Sequence, residues 1–195
     1  LIALNVPLDS LRLGSLSTHT THPFYMAMWN ELLSALKFDG QIENPYWTQT
    51  KREMVSNCQN KKLLQGIIEH SLSCSSPAKG RWQGHGIEHC GYCLPCIIRR
   101  ASLINVPSIS DTTKYTLNNL TKSVLNTNHS EGKQIRSFQF AINRLKSNPS
   151  LASLLIHKAG PLPQDINTLK RLENVYLKGM IEVDDLIQKT RTKPQ

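Results

Sequence analysis

Apolar side chains along this chain recur mostly at helical intervals, and polar loops interrupt them. "LIALNVPL" alternates like a short strand that ends at Pro7, and "DSLRLGSLSTHTTHP" follows as a hydroxyl-rich loop. Phe24, Met28, Leu32 and Leu36 then recur every four residues, which predicts a helix from Pro23 with one buried stripe. Tyr25, Trp29 and Leu33 widen that stripe, and Thr20 or Thr21 is placed to cap the helix. "QIENPYW" reads as a connector. Thr50 and Glu53 match a capping box, so a helix is expected to start at Thr50. "NKKLLQGIIEHSLSC" predicts a second short helix running toward Cys74. Residues 75–89 have no hydrophobic period and read as an irregular loop, from which "CLPCIIRRASLINV" leaves as a helix.

Beyond residue 110 the spacing stays helical in "TKYTLNNLTKSVLN", "GKQIRSFQFAINRLKS" and "SLASLLIHK". "AGPLPQ" is a break. "DINTLKRLENVYLKGMIEVDDLIQKT" predicts a long helix with Ile166, Leu169, Leu172, Val175, Tyr176 and Leu186 among its apolar positions, and Gly179 as its weak point. The tail "RTKPQ" is expected to fray. The change of texture suggests one segment over 1–110 and a helical extension over 111–195.

Lys and Arg outnumber Asp and Glu by 23 to 14, a net charge of +9, and residues 111–195 carry 13 of the basic side chains against 7 acidic ones. That excess suits an anionic partner or plain solubility alike, since no basic run exceeds two residues. No apolar stretch approaches the roughly 20 residues of a membrane helix, and no secretory pattern is present. The chain starts at Leu1 within a pattern and reads as a piece of a longer polypeptide, with the cytoplasm as its expected compartment.

Of the five cysteines, Cys90, Cys93 and Cys96 follow C-x2-C-x2-C, and Cys74 stands upstream with fifteen residues between it and Cys90. A turn followed by a helix start lets three sulfurs face one point, and a fourth from a loop completes a tetrahedron around zinc. The same spacing admits an iron–sulfur cluster, a disulfide arrangement, or His85 or His89 in place of one cysteine. Cys58 reads as a buried thiol. In the loop before Pro23, Arg12, His19 and His22 offer donors to an anionic ligand.

"NPYWTQTKREMV", "SLSC" and "HCGYCLPCIIRRASL" together resemble the C-terminal part of the QueC family, the 7-cyano-7-deazaguanine synthases. The matching residues are Pro45, Thr50, Lys51, Glu53, Ser73, Cys74, Cys90, Gly91, Cys93, Cys96 and Arg99. The stretch "LNVPLDSLRLGSLSTHTTHPF" and the tail with "GPLP" and "VYLKGMIE" are similar instead to the QueC-like proteins of Qat anti-phage defence systems. The resemblance implies an α/β fold, the C-terminal part of a Rossmann-like PP-loop nucleotide hydrolase domain, with a structural zinc on four cysteines and an α-helical extension. It implies use of ATP and Mg2+ by the full-length protein to adenylate a deazaguanine carboxylate or related group, as an ATP-dependent carbon–nitrogen ligase. Cys74, Cys90, Cys93 and Cys96 become the zinc ligands, and Lys51, Arg99 and Arg12 become substrate or nucleotide contacts. The basic extension would then serve a partner protein of a defence operon.

The PP-loop sequence Ser-Gly-Gly-x-Asp-Ser is not in the chain, so adenylation is not expected of these 195 residues alone. A housekeeping synthase of queuosine biosynthesis would carry Asp-Cys-Arg-Pro where this chain has "TTHP". The reading from another class is a zinc-stabilised nucleic-acid-binding module without chemistry.

Overall fold

The computed structural model describes residues 20–78, 81, 84 and 86–194. The expected strand at 1–7, the loop with Arg12 and His19, and His85 lie outside these residues. Helices dominate: α1 Pro23–Ala35, α2 Lys51–Ser56, α3 Lys61–Ile67, α4 Leu94–Leu103, α5 Ser130–Ser147, α6 Leu151–Leu155 and α7 Ile166–Ile187. Among the described residues the one sheet has two parallel strands, β1 Leu125–Asn126 and β2 Thr192–Lys193, so no Rossmann-like sheet is present there. No described helix is long and apolar enough to cross a membrane.

Two compact units divide the chain. The first takes the residues up to Thr50 with Arg144–Gly179, and the second takes Lys51–Asn143 with Met180 onward. Each therefore draws on chain from both sides of residue 110, and α5 and α7 each contribute to both.

In the first unit, Pro23 occupies the first turn of α1 as its fixed φ favours. The cap is neither Thr20 nor Thr21 but His22, whose Nδ1 accepts a hydrogen bond from the Phe24 N–H at 3.3 Å. The expected buried stripe is a second correction. Phe24, Met28, Leu32 and Leu36 are 40–58% exposed, and no residue of α1 is buried. A four-residue period specifies a helix with an apolar face, but it does not supply an element to cover that face. Among the described residues, the buried apolar side chains of this unit come from elsewhere: Leu145, Ala152, Ile156, Ala159, Leu172, Val175 and Tyr176. Burial pushes the Tyr176 phenol up to about 12.

In the second unit α2 packs on α4. Arg52 donates to the Ala101 carbonyl from Nε (3.0 Å) and Nη2 (2.9 Å), to the Glu182 carbonyl (3.1 Å) and to Asp185 Oδ2 (2.8 Å). One guanidinium thus ties α2 to α4 and to the end of α7. Ile135, Phe138 and Ile142 form the buried stripe of α5, and Met180, Val183 and Ile187 that of the last part of α7.

Two stretches differ from expectation here. Residues 114–124 form no helix, because their backbone bonds the cysteine loop instead: the Thr116 N–H donates to His89 O (2.9 Å) and the Leu117 N–H to Cys90 O (3.0 Å). The C-terminal tail is tied rather than frayed. Leu125 N–H donates to Arg191 O (2.9 Å) and Thr127 N–H to Lys193 O (3.0 Å), while Gln139 bonds both Thr190 O (2.8 Å) and Thr192 Oγ1 (2.7 Å).

Candidate metal centre

The four sulfurs expected to act together do stand together. Sγ atoms of Cys74, Cys90, Cys93 and Cys96 all lie within 4.8 Å of one another. Cys74–Cys93 and Cys90–Cys96 are each separated by 3.9 Å. Tetrahedral zinc with bonds near ~2.3 Å sets its sulfurs about 3.8 Å apart, so the donor set fits one ion such as zinc. A four-iron cluster places each thiolate on its own iron, farther from the others than a single ion does. Every cysteine is a free thiol in this structure, including half-buried Cys58 outside the group.

Local sequence explains the convergence. Cys93 is the N-cap of α4 with Pro95 in the first turn, and Cys96, three residues on, shares its face. The Leu94 N–H at this helix start donates to Gln134 Oε1 of α5 (3.1 Å). Gly91 makes the turn between Cys90 and Cys93 with a φ of +85°. Backbone N–H groups point at the sulfurs: Cys93 N–H to Cys90 Sγ (3.3 Å), Cys90 N–H to Cys74 Sγ (3.4 Å) and Ser76 N–H to Cys74 Sγ (3.5 Å). Such donors favour thiolate, the form that binds metal. Among themselves the thiols share protons unequally. Hydrogen bonds from Cys90 and Cys96 hold the Cys93 thiol far below its ordinary value, and their own values rise, that of Cys90 to about 12.

His89 does not take a cysteine's place. Its Nε2 accepts the Ser73 N–H at 3.0 Å, which fixes the start of the Cys74 loop against the knuckle. Burial, then the nearby Arg99, lowers its pKa and favours the neutral ring that can accept this bond. Arg100 serves the same scaffold: Nη1 donates to Gly91 O (3.2 Å) and Leu117 O (2.9 Å), Nη2 to Asn118 O, and the guanidinium lies 4.6 Å from the Tyr115 ring centroid.

Lys51 and Arg99 share one cavity of about 400 Å3, walled by Met54, Leu64, Leu103 and other apolar side chains. Arg99 is already engaged: Nε donates to Thr113 Oγ1 (3.1 Å), Nη1 to Ser71 Oγ (2.8 Å) and Ser73 Oγ (3.2 Å), and Nη2 to the Ile68 carbonyl. Its charge therefore rests against a carbonyl at the C-terminal end of the α3 segment, where a helix dipole favours a cation. Four of its five N–H groups thus have partners among the described residues. Lys51 is held below its ordinary pKa by burial and by Arg99. Spacing alone had singled out neither Ser71 nor Thr113 as a partner of Arg99. Arg12, the third expected contact, lies outside the described residues.

No protein-family model, curated protein or solved structure matches this chain.

Proposed function

We propose that this chain is the zinc-braced C-terminal part of a QueC-like protein of the anti-phage defence type, whose full-length form activates a deazaguanine carboxylate or related group by adenylation. One observation carries the reading. Of the residues on which the resemblance rests, Cys74 joins the Cys90–Cys96 run in a single metal-sized cluster, and Lys51, Ser73 and Arg99 line one cavity in the same unit. Zinc bound by four thiolates supplies a closed brace rather than an open reactive position. The brace joins the Cys74 loop to α4, and α4 presents Arg99 to the cavity. Arg99 then positions the Ser71–Ser73 segment and provides positive potential, while the Lys51 ammonium is the group available for an anionic ligand.

Two measurements test this. Metal analysis of the purified chain is expected to give one zinc per chain and no visible absorbance; iron with a brown colour removes the zinc assignment. Calorimetric titration with a deazaguanine carboxylate is expected to show binding that Lys51→Gln loses. Salt-sensitive binding of DNA or RNA, with no response to ATP or to the deazaguanine, would favour the nucleic-acid-binding module instead. Release of AMP from ATP by these 195 residues would overturn the requirement for a PP-loop.

A further inference from the structure

The solvent side of α5 carries cations that neither the cysteine cluster nor the Lys51 cavity uses. Ile135, Phe138 and Ile142 bury one side of the helix. Lys133, Arg136 and Phe140 follow one another at spacings of three and four residues, which sets them in one stripe on the other side. All three are exposed, Phe140 by 56%. Neither cation has an ion pair among the described residues. The one acid of α5, Glu131, precedes Lys133 by two residues, a spacing that turns it to another face.

More positive charge lies alongside. Gln139, next to Phe140 in sequence, donates to Thr190 O (2.8 Å) and accepts from Thr192 Oγ1 (2.7 Å), which fastens β2 to α5. Arg191 and Lys193 alternate with these two threonines, and both are exposed. They add to the positive potential at this edge of α5.

The aromatic ring distinguishes between anionic partners. The Arg136 guanidinium lies 4.3 Å from the Phe140 ring centroid, so a planar cation and a ring are presented together on the surface. An acidic peptide is satisfied by the cations and gains little from the ring, whereas a nucleobase stacks on both. The phosphates flanking that base carry the charge that Lys133, Arg191 and Lys193 attract. A base inside a duplex has both faces covered by its neighbours, so the stripe suits a single strand.

We propose that this face of α5 binds single-stranded nucleic acid, with a base stacked at Phe140 and Arg136 and backbone phosphates at Lys133, Arg191 and Lys193. The surface shares no residue with the cysteine cluster or the Lys51 cavity, so it does not depend on the reading of either.

The test is fluorescence anisotropy of a labelled oligothymidylate of about 15 nucleotides, titrated with the full chain at low and at rising salt. Saturable binding that weakens with salt is expected. An abasic strand of the same length, and polyglutamate of equal charge, are expected to compete at least about fivefold more weakly. Phe140→Leu removes an exposed ring and is expected to weaken binding by about fivefold or more with the salt dependence unchanged. Lys133→Gln and Lys193→Gln are each expected to flatten the logarithmic salt slope by about 0.7. Lys62→Gln, on the exposed surface of α3, is the control and is expected to leave affinity within about twofold. Circular dichroism verifies that each variant is folded. No saturable binding, equal binding of the abasic strand, or undiminished binding by Phe140→Leu would overturn the proposal, as would a loss in Lys62→Gln as large as in Lys133→Gln. Equal or tighter binding of polyglutamate would overturn it as well and assign the face to an acidic protein.

Discussion

Gly91 and Leu117 meet so closely that a Cβ on Gly91 would stand 2.5 Å from the Leu117 carbonyl oxygen. The positive φ at Gly91 adds a second obstacle to any side chain. The turn that brings Cys90 toward Cys93 and the backbone pairing to residues 115–117 therefore depend on the same glycine. Gly91→Ala is expected to lower stability by about 2–3 kcal/mol and to reduce metal retention, checked by thermal unfolding and by zinc stoichiometry after dialysis.

Serine at Cys96, a fully buried member of the cluster, is expected to abolish stoichiometric metal binding and lower the unfolding temperature. Cys58→Ser is the control: its sulfur is outside the group, so metal content is expected to stay at the wild-type value. A strong chelator should reproduce the Cys96→Ser effect in the wild type and leave Cys96→Ser itself unchanged. Unaltered unfolding of the wild type in chelator would count against a structural metal.

Lys51 and Arg99 should respond in opposite directions. Removing the guanidinium by Arg99→Leu leaves Thr113, Ser71, Ser73 and the Ile68 carbonyl without their donor, an expected loss of about 3 kcal/mol. Lys51→Met, by contrast, removes a buried ammonium beside another cation and is expected to be neutral or stabilising by about 1 kcal/mol at neutral pH.

The depressed Lys51 pKa also fixes a pH dependence. Between the lowered folded value and the ordinary 10.5, the unfolded state binds the proton more readily, so stability from this group rises with pH across that window. The advantage of Lys51→Met over wild type is therefore expected to shrink as pH approaches 10.5. Paired chemical denaturation of the two proteins over that range reads the difference directly, and a constant gap would contradict the assignment.

Arg52 offers a separate test of the second unit. Arg52→Ala removes bonds to two backbone carbonyls and to Asp185 and is expected to cost about 2 kcal/mol. Asp185→Asn removes only the exposed end of the ion pair and is expected to cost less than about 1 kcal/mol, measured by urea denaturation.

Much of this was legible in the residues themselves. Cysteine spacing pointed to Cys90, Cys93 and Cys96 because a knuckle followed by a helix start is a local geometry, whereas Cys74, from a loop with fifteen residues between it and Cys90, stood ahead of His85 or His89 without a local geometry to fix it. Helical periods located α1, α5 and α7 for the same reason. What periodicity could not convey was which surfaces meet. The apolar face of α1 is exposed although its spacing is regular, and residues 114–124 forgo a helix to pair with His89 and Cys90. Nor did any pattern reveal that Arg99 would spend its donors on Ser71, Ser73 and Thr113, since those contacts span 14 to 28 residues of chain.

The second unit takes its last pieces from Met180 onward, well after Cys96. On the ribosome, the four thiols thus emerge while the strand that pairs with Leu125 and Asn126 is still unsynthesised. Metal can meet the cysteines on a nascent chain before the unit around them closes, and the order of synthesis favours loading first and locking afterwards.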